Sequence, residues 1–243
     1  MEVCLLAGKI MLANGGETYR VEDTMLRIAQ SFHIGEAYSY VTPTGIFLTI
    51  QGKHQQKTKF IRIHLRSIDL NKVVLVNDIS RKISSGMMTI DEAYESLCKI
   101  EQLKPLYPIW LQTLAAAISS GFFSLMFGGT WKDFFPALIV GGIGFIIFIF
   151  LHYIAKVKFF AEMATAFLIG LLLSVLYKFG FGAHLDKMII GSIMPLVPGV
   201  LITNAVRDLI AGDLVSGLAR GAEAFFTALA IGTGVAVILV LFR

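Results

Sequence analysis

From Pro105 onward the chain consists almost wholly of long apolar stretches, a pattern that admits few folds other than a bundle of membrane-spanning helices. Five stretches stand out: Tyr107 to Phe127, Phe134 to Ala155, Phe159 to Tyr177, Met188 to Asn204 and Ala222 to Phe242. Each is near the roughly 20 residues that carry an α-helix across a bilayer, although the fourth is short and interrupted. The connections between them are brief, so neighbouring helices are expected to run antiparallel as one bundle. Charge marks the other side of the boundary: 24 of the 38 Lys, Arg, Asp and Glu residues precede Pro105. The expected fold class is a membrane protein, with a small cytosolic α+β domain over 1–104 and an α-helical bundle of about five transmembrane helices over 105–243.

The first hundred residues read as two helices, three strands and two more helices. Residues 3–12 are apolar apart from Lys9, and the run N-G-G-E-T at 14–18 stops them. A second helix opens at Glu17 or Thr18, with Val21, Met25, Ile28, Ala29 and Phe32 at three- and four-residue spacing, the stripe of an amphipathic helix. From Ala37 the period shortens. Y-S-Y-V-T, G-I-F-L-T-I-Q-G and T-K-F-I-R-I-H-L-R-S-I alternate apolar with polar residues and predict three antiparallel strands. Helical spacing returns through Val74, Val76, Ile79 and Ile83. A last helix over Asp91 to Gln102 is announced by Thr89 with Glu92 three positions on, a capping-box spacing.

Composition excludes several functions. The net charge of +4 is spread along the chain and lacks the basic stripe of a nucleic-acid binder. Cys4 and Cys98 sit far apart in helix-like patterns, with neither a CxxC nor a histidine pair nearby, so no metal or redox site and no cofactor is expected. No G-x-S-x-G elbow, S-x-x-K pair or H-E-x-x-H helix is present, and His33, His54 and His64 read as surface residues, so the expectation is not an enzyme. Met1 to Asn14 lacks a basic n-region and a cleavage pattern, which leaves the N-terminal domain in the cytoplasm. Lys99, Lys104, Lys156, Lys158, Arg207 and Arg220 on one side outnumber Lys132, Lys178, Lys187 and Arg243 on the other. That bias predicts a cytoplasmic N-terminus and, after five crossings, a C-terminus on the opposite face of the cell membrane.

The segment M-P-L-V-P-G-V-L-I-T-N-A-V-R-D at 194–208 carries the strongest functional signal. Pro195, Pro198 and Gly199 break a helix at membrane depth, where freed backbone groups must face protein or water rather than lipid. A half-helix starting near Pro198 would offer its unpaired N–H groups and positive dipole end to a carboxylate or phosphate. Thr203 and Asn204 follow, Asn204 about 9 Å along, and Arg207 beside Asp208 reads as an opposite-charge pair, a gate or an anion contact. Glu223 is a further candidate for the pathway. The alternative is a kinked, packed helix with interfacial charges. Gly217 and Gly221 fit a small-xxx-small pattern for close helix approach.

Four stretches together, G-G-E-T-Y-R-V-E at 15–22, T-P-T-G-I-F-L-T-I at 42–50, S-G-M-M-T-I-D-E-A at 85–93 and P-L-V-P-G-V-L-I-T-N-A-V-R-D-L at 195–209, resemble the threonine/serine exporter family over nearly the whole chain. The resemblance implies a cytosolic domain followed by five helices. It implies a subunit of a secondary exporter for a small carboxylate-bearing metabolite, either threonine and serine or a dicarboxylate such as succinate. Single-chain members carry a second set of membrane helices, so a small separate membrane partner subunit is implied, and an oligomer with it. Gly16, Glu17, Thr18 and Glu22 are then gating or structural residues of the cytosolic domain. Two rivals stand beside this reading: a membrane-anchored enzyme with a hydrolase-like cytosolic domain, and a non-transporting membrane scaffold.

Overall fold

The computed structural model describes residues 1–32, 36–52, 55–64, 66–155, 157 and 159–242. His33, His54, Lys156, Lys158 and Arg243, used in the sequence argument, lie outside the described residues. The chain divides into two compact units, Met1–Leu106 with Val200–Ala222, and Tyr107–Gly199 with Glu223–Arg243. The stretch 200–222 thus groups with the first hundred residues.

The first unit holds α1 (Glu2–Ala13), α2 (Thr18–Ser31), β1 (Glu36–Thr42), β2 (Gly45–Gln51), β3 (Gln56–Arg62), α3 (Leu70–Ser84) and α4 (Ile90–Gln102). To these it adds α9 (Gly199–Ala211) from Val200 on, and the start of α10 (Leu214–Leu241). Helix α1 is apolar on nearly every side because it is the centre of the core: Val3, Cys4, Leu5, Ile10, Met11 and Leu12 are all buried. Gly8 lets α2 approach, since a Cβ there would lie 2.3 Å from Met25 Sδ. The strands form an antiparallel sheet in the order β1-β2-β3, with Ile46, Leu48 and Ile50 turned into the core and Phe47 and Gln51 outward. The capping box of α4 is complete: Thr89 Oγ1 accepts from Glu92 N, and the Glu92 carboxylate accepts from Thr89 N. Cys4 is buried and Cys98 half-buried.

The second unit holds α5 (Ile109–Met126), α6 (Trp131–Ala155), α7 (Phe160–Lys178), α8 (Leu185–Ile193) and the rest of α10. Its helices meet through small residues, as helices in lipid do when burial of apolar surface no longer drives them together. A Cβ on Gly141 would strike Ser120, one on Gly144 would strike Ile169, and one on Gly234 would lie 2.3 Å from the Met163 carbonyl. Outward faces carry Phe122, Phe135, Ile146 and Phe150, all exposed.

Among the described residues four helices, α5, α6, α7 and α10, are long and apolar enough to cross a membrane, and the pair α8 and α9, bent by 63°, makes a fifth when counted as one span. Two boundaries of the sequence reading are corrected. The fourth stretch is two helices parted by a 3-10 turn at Met194–Leu196, because Pro195 and Pro198 cannot continue the ladder. The fifth begins at Leu214, well before Ala222. Asp213 and Arg220 lower the local hydropathy there, yet Leu214, Val215 and Leu218 face outward while Ser216, Gly217 and Arg220 face in.

Candidate functional site

The first unit contains a polar clasp built by the glycine turn after α1 and the segment 204–220. Asn14 ends α1, Gly15 takes a φ of +92°, and Gly16 N donates 2.9 Å to Met11 O, the six-to-one bond of a glycine C-cap. Glu17 then occupies the N-cap position of α2 without using its side chain as a cap. One of the orphan donors at this helix start is met from far along the chain: Asp208 accepts from Thr18 N through Oδ1 and also from the Thr18 hydroxyl through Oδ2, each at 3.1 Å. Asp208 therefore satisfies, from outside the helix, the N1 donor among the four orphan N–H groups at the start of α2.

Three further contacts close the clasp. Asn204 Nδ2 donates to Gly15 O at 2.9 Å, Arg220 Nη2 donates to Gly16 O at 2.8 Å, and Arg220 Nε lies 3.3 Å from Asp208 Oδ2. Both members of the Arg220–Asp208 pair are buried, with side-chain exposures of 5% and 0%. Burying an ion pair carries a desolvation penalty that is offset only when the remaining donors and acceptors are satisfied, and here backbone groups at 16 and 18 satisfy several of them. Glu17, 7% exposed, is held between two guanidiniums, Arg207 Nη1 on Oε1 and Arg20 Nε at 3.1 Å from Oε2. Gly217 brings α10 against α9, since a Cβ there would lie 2.6 Å from Leu209 Cγ and 3.0 Å from Ala205 O.

One layer further out, Glu22 Oε1 accepts from Val41 N at 2.7 Å while Ser216 Oγ donates to Val41 O at 3.4 Å, so the open edge of β1 is occupied at that residue. Burial raises the Glu22 carboxyl above the ordinary carboxylate range, the Asp213 charge adds to the rise, and the Val41 N–H opposes it. Asp213 is raised too, by burial and then by the charge of Asp208. The faces of α9 and early α10 are inverted relative to a soluble helix. Asn204, Asp208, Ser216 and Arg220 point in, whereas Ile202, Val206, Ile210, Leu214 and Leu218 point out.

The structure thus joins Gly16, Glu17 and Thr18 to Asn204, Arg207 and Asp208, with Glu22 beside them. Arg207 and Asp208 are not paired with each other: adjacent residues on a helix face different directions, and each takes a partner from elsewhere. Thr203 lies on the exposed side of α9, and Pro195, Pro198, Gly199 and Glu223 fall outside the clasp in the second unit. Sequence reasoning counted Arg220 only as a topological charge and passed over Ser216. A charge within an otherwise apolar helix was the available signal for Arg220. It also passed over Asp133 of the second unit, fully buried, which accepts from Thr130 N and Oγ1, Ala183 N and His184 N. The T-x-x-D spacing at 130–133 was its signal. Among the described residues no group of three or more His, Cys, Asp or Glu is placed to hold a metal ion.

Several helices long and apolar enough to span a bilayer, beside helices that bury their charges and expose their apolar side chains, define a multi-pass membrane protein. The chain belongs to the family described as "Putative threonine/serine exporter", whose model matches residues 2–242. A "Probable threonine/serine exporter" of Mycobacterium tuberculosis is 23% identical over 98% of this chain and 45% of its own length. The "Probable succinate transporter subunit YjjP" of Escherichia coli is 25% identical over 98% of this chain and 92% of its own length. The "Pheromone-regulated membrane protein 10" of Kluyveromyces lactis is 25% identical over 93% of this chain and 24% of its own length. The chain therefore spans less than half of the mycobacterial relative and about a quarter of the yeast one. No solved structure matches it.

Proposed function

We propose that the chain is a subunit of a secondary exporter that moves a small carboxylate-bearing metabolite out of the cell, with threonine, serine and succinate as the first candidates. The observation that carries this reading is the family match over residues 2–242. The clasp adds a chemical reason. Its two guanidiniums, Arg207 and Arg220, are held by the carboxylates of Glu17 and Asp208, and a substrate carboxylate offers those guanidiniums the same bond. Glu17, Thr18, Asn204, Arg207 and Asp208 then form a closed gate that substrate opens by exchange, with Gly16 and Glu22 holding it in shape. Pro195, Pro198, Gly199, Thr203 and Glu223 complete the proposed pathway. The helix break at 194–198 supplies the irregular backbone that such pathways use.

A separate small membrane subunit is part of the proposal, because a relative that this chain covers almost end to end is itself named a subunit. Five crossings, with the N-terminus in the cytoplasm and the C-terminus across the cell membrane, are the proposed topology.

The test is efflux of labelled threonine, serine and succinate from cells making the chain, with and without a candidate partner. Arg207→Gln is compared at equal membrane abundance. Partner-dependent efflux of one solute, reduced at least about tenfold by the variant, is the expected result. Efflux that Arg207→Gln leaves intact removes the gate, and no efflux of any solute favours the scaffold. Turnover of a solute without movement would favour the anchored enzyme.

A further inference from the structure

We propose that the cleft between α2 and α3 binds a small soluble dianion, a metabolite carrying two phosphate or carboxylate groups, by bridging arginines on its two walls. The cleft has a volume of about 500 Å³ and is lined by Tyr19, Arg20, Asp23 and Arg27 from α2 and by Asn77 and Arg81 from α3. That is within the range of small-ligand sites. The pattern that builds it is simple. Positions 20, 23 and 27 share one stripe of α2, and 77 and 81 share one stripe of α3, while Val21, Met25 and Ile28 on the first helix and Val76, Ile79 and Ile83 on the second hold both in the core.

Three guanidiniums face this space against one carboxylate. Arg27 is neutralised by Asp23 at 2.6 Å, and Arg20 reaches back to Glu17 at 3.1 Å, at the start of its own helix. Arg81 makes no ion pair with a described residue, in contrast to neighbouring Lys82, which pairs with Asp78 at 2.8 Å. One wall therefore offers an uncommitted fork, and the other a fork that is held by buried Glu17 and by a hydrogen bond with Tyr19 and must exchange those contacts for the ligand. A planar guanidinium binds two oxygens of a carboxylate or phosphate at once, so a ligand with two such groups spans both walls where a monoanion satisfies only one.

The cleft also has a connection to the clasp. Glu17 is shared by Arg20 and Arg207, and an anion that draws Arg20 into the cleft leaves Glu17 to Arg207 alone. Occupancy of the cleft is thus coupled to the clasp through Glu17. This inference stands on the geometry of the first unit and does not depend on transport.

The test is calorimetric titration of the full chain in detergent with pyrophosphate and citrate, and with acetate at matched ionic strength. Binding of pyrophosphate or citrate, each of which carries at least two anionic groups, at millimolar concentration or below, with acetate much weaker, is expected. Arg81→Gln should weaken that binding about tenfold or more and Arg81→Lys less, with the thermal midpoint of the ligand-free protein unchanged and Arg62→Gln on β3 neutral. Equal binding by Arg81→Gln and the unaltered chain, equal binding of acetate, or no heat from either probe would overturn the proposal. So would full block of the probes in nanodiscs by phosphatidylglycerol but not phosphatidylcholine, which assigns the cleft to a lipid headgroup.

Discussion

Asp208 in the first unit and Asp133 in the second are both fully buried carboxylates that receive backbone N–H groups from distant segments, yet they are balanced in different ways. Asp208 faces a buried guanidinium, Arg220. Asp133 is surrounded chiefly by neutral donors, with the half-exposed His184 ring at 3.1 Å. The first is one half of a buried ion pair whose loss removes a charge facing Arg220, whereas the second is a hub of hydrogen bonds whose loss strands dipoles. The same side chain thus gives a charge-locked joint in one unit and a dipole-locked joint in the other.

Replacing each aspartate by Asn separates the two cases. Asp208→Asn removes the charge that Asp208 sets against buried Arg220, so a loss of about 3–5 kcal/mol is expected. Asp133→Asn keeps one acceptor oxygen and should cost about 1–3 kcal/mol for the donor left facing an amide. Thermal unfolding of the detergent-solubilised variants measures both, and equal losses would break the contrast.

A smaller effect follows from pH. The Glu22 carboxyl is raised above its unfolded value, so between those two values the folded chain holds the extra proton. Stability should rise as pH falls through that window and decline as pH rises through it. Glu22→Gln should flatten that slope, which an unfolding series from pH 7 down to pH 4.5 would detect. The smallest effect belongs to a cap supplied locally: Thr89→Ala at the exposed start of α4 should cost about 1 kcal/mol, and circular dichroism melts would show whether a neighbouring cap is indeed worth less than the one provided by Asp208.

Local features were the legible ones. The Thr89–Glu92 box, the alternation of β1 to β3 and the stripe of α2 each arise within a few residues, where period and cap chemistry act directly. The apolar stretches were legible for the same reason, and so was the interruption at 194–198. The clasp was not. Both of its halves were singled out, G-G-E-T as a turn and N-A-V-R-D as a pathway, but the contact between them spans 190 positions and no period links them. Arg220 stayed hidden because its helix was expected to begin two residues after it. The inward faces of α9 and early α10 are polar, and a reading that assigns polar residues to the outside places them wrongly.

The borrowed cap of α2 also sets a timetable for synthesis. The helix opens at Thr18, but its acceptor arrives 190 residues later, which at ordinary elongation rates is roughly 10–40 s. Through that interval the first turn of α2 must hold its donors on water or on a chaperone. Completion of the N-terminal fold therefore waits on the synthesis of residues 204–220.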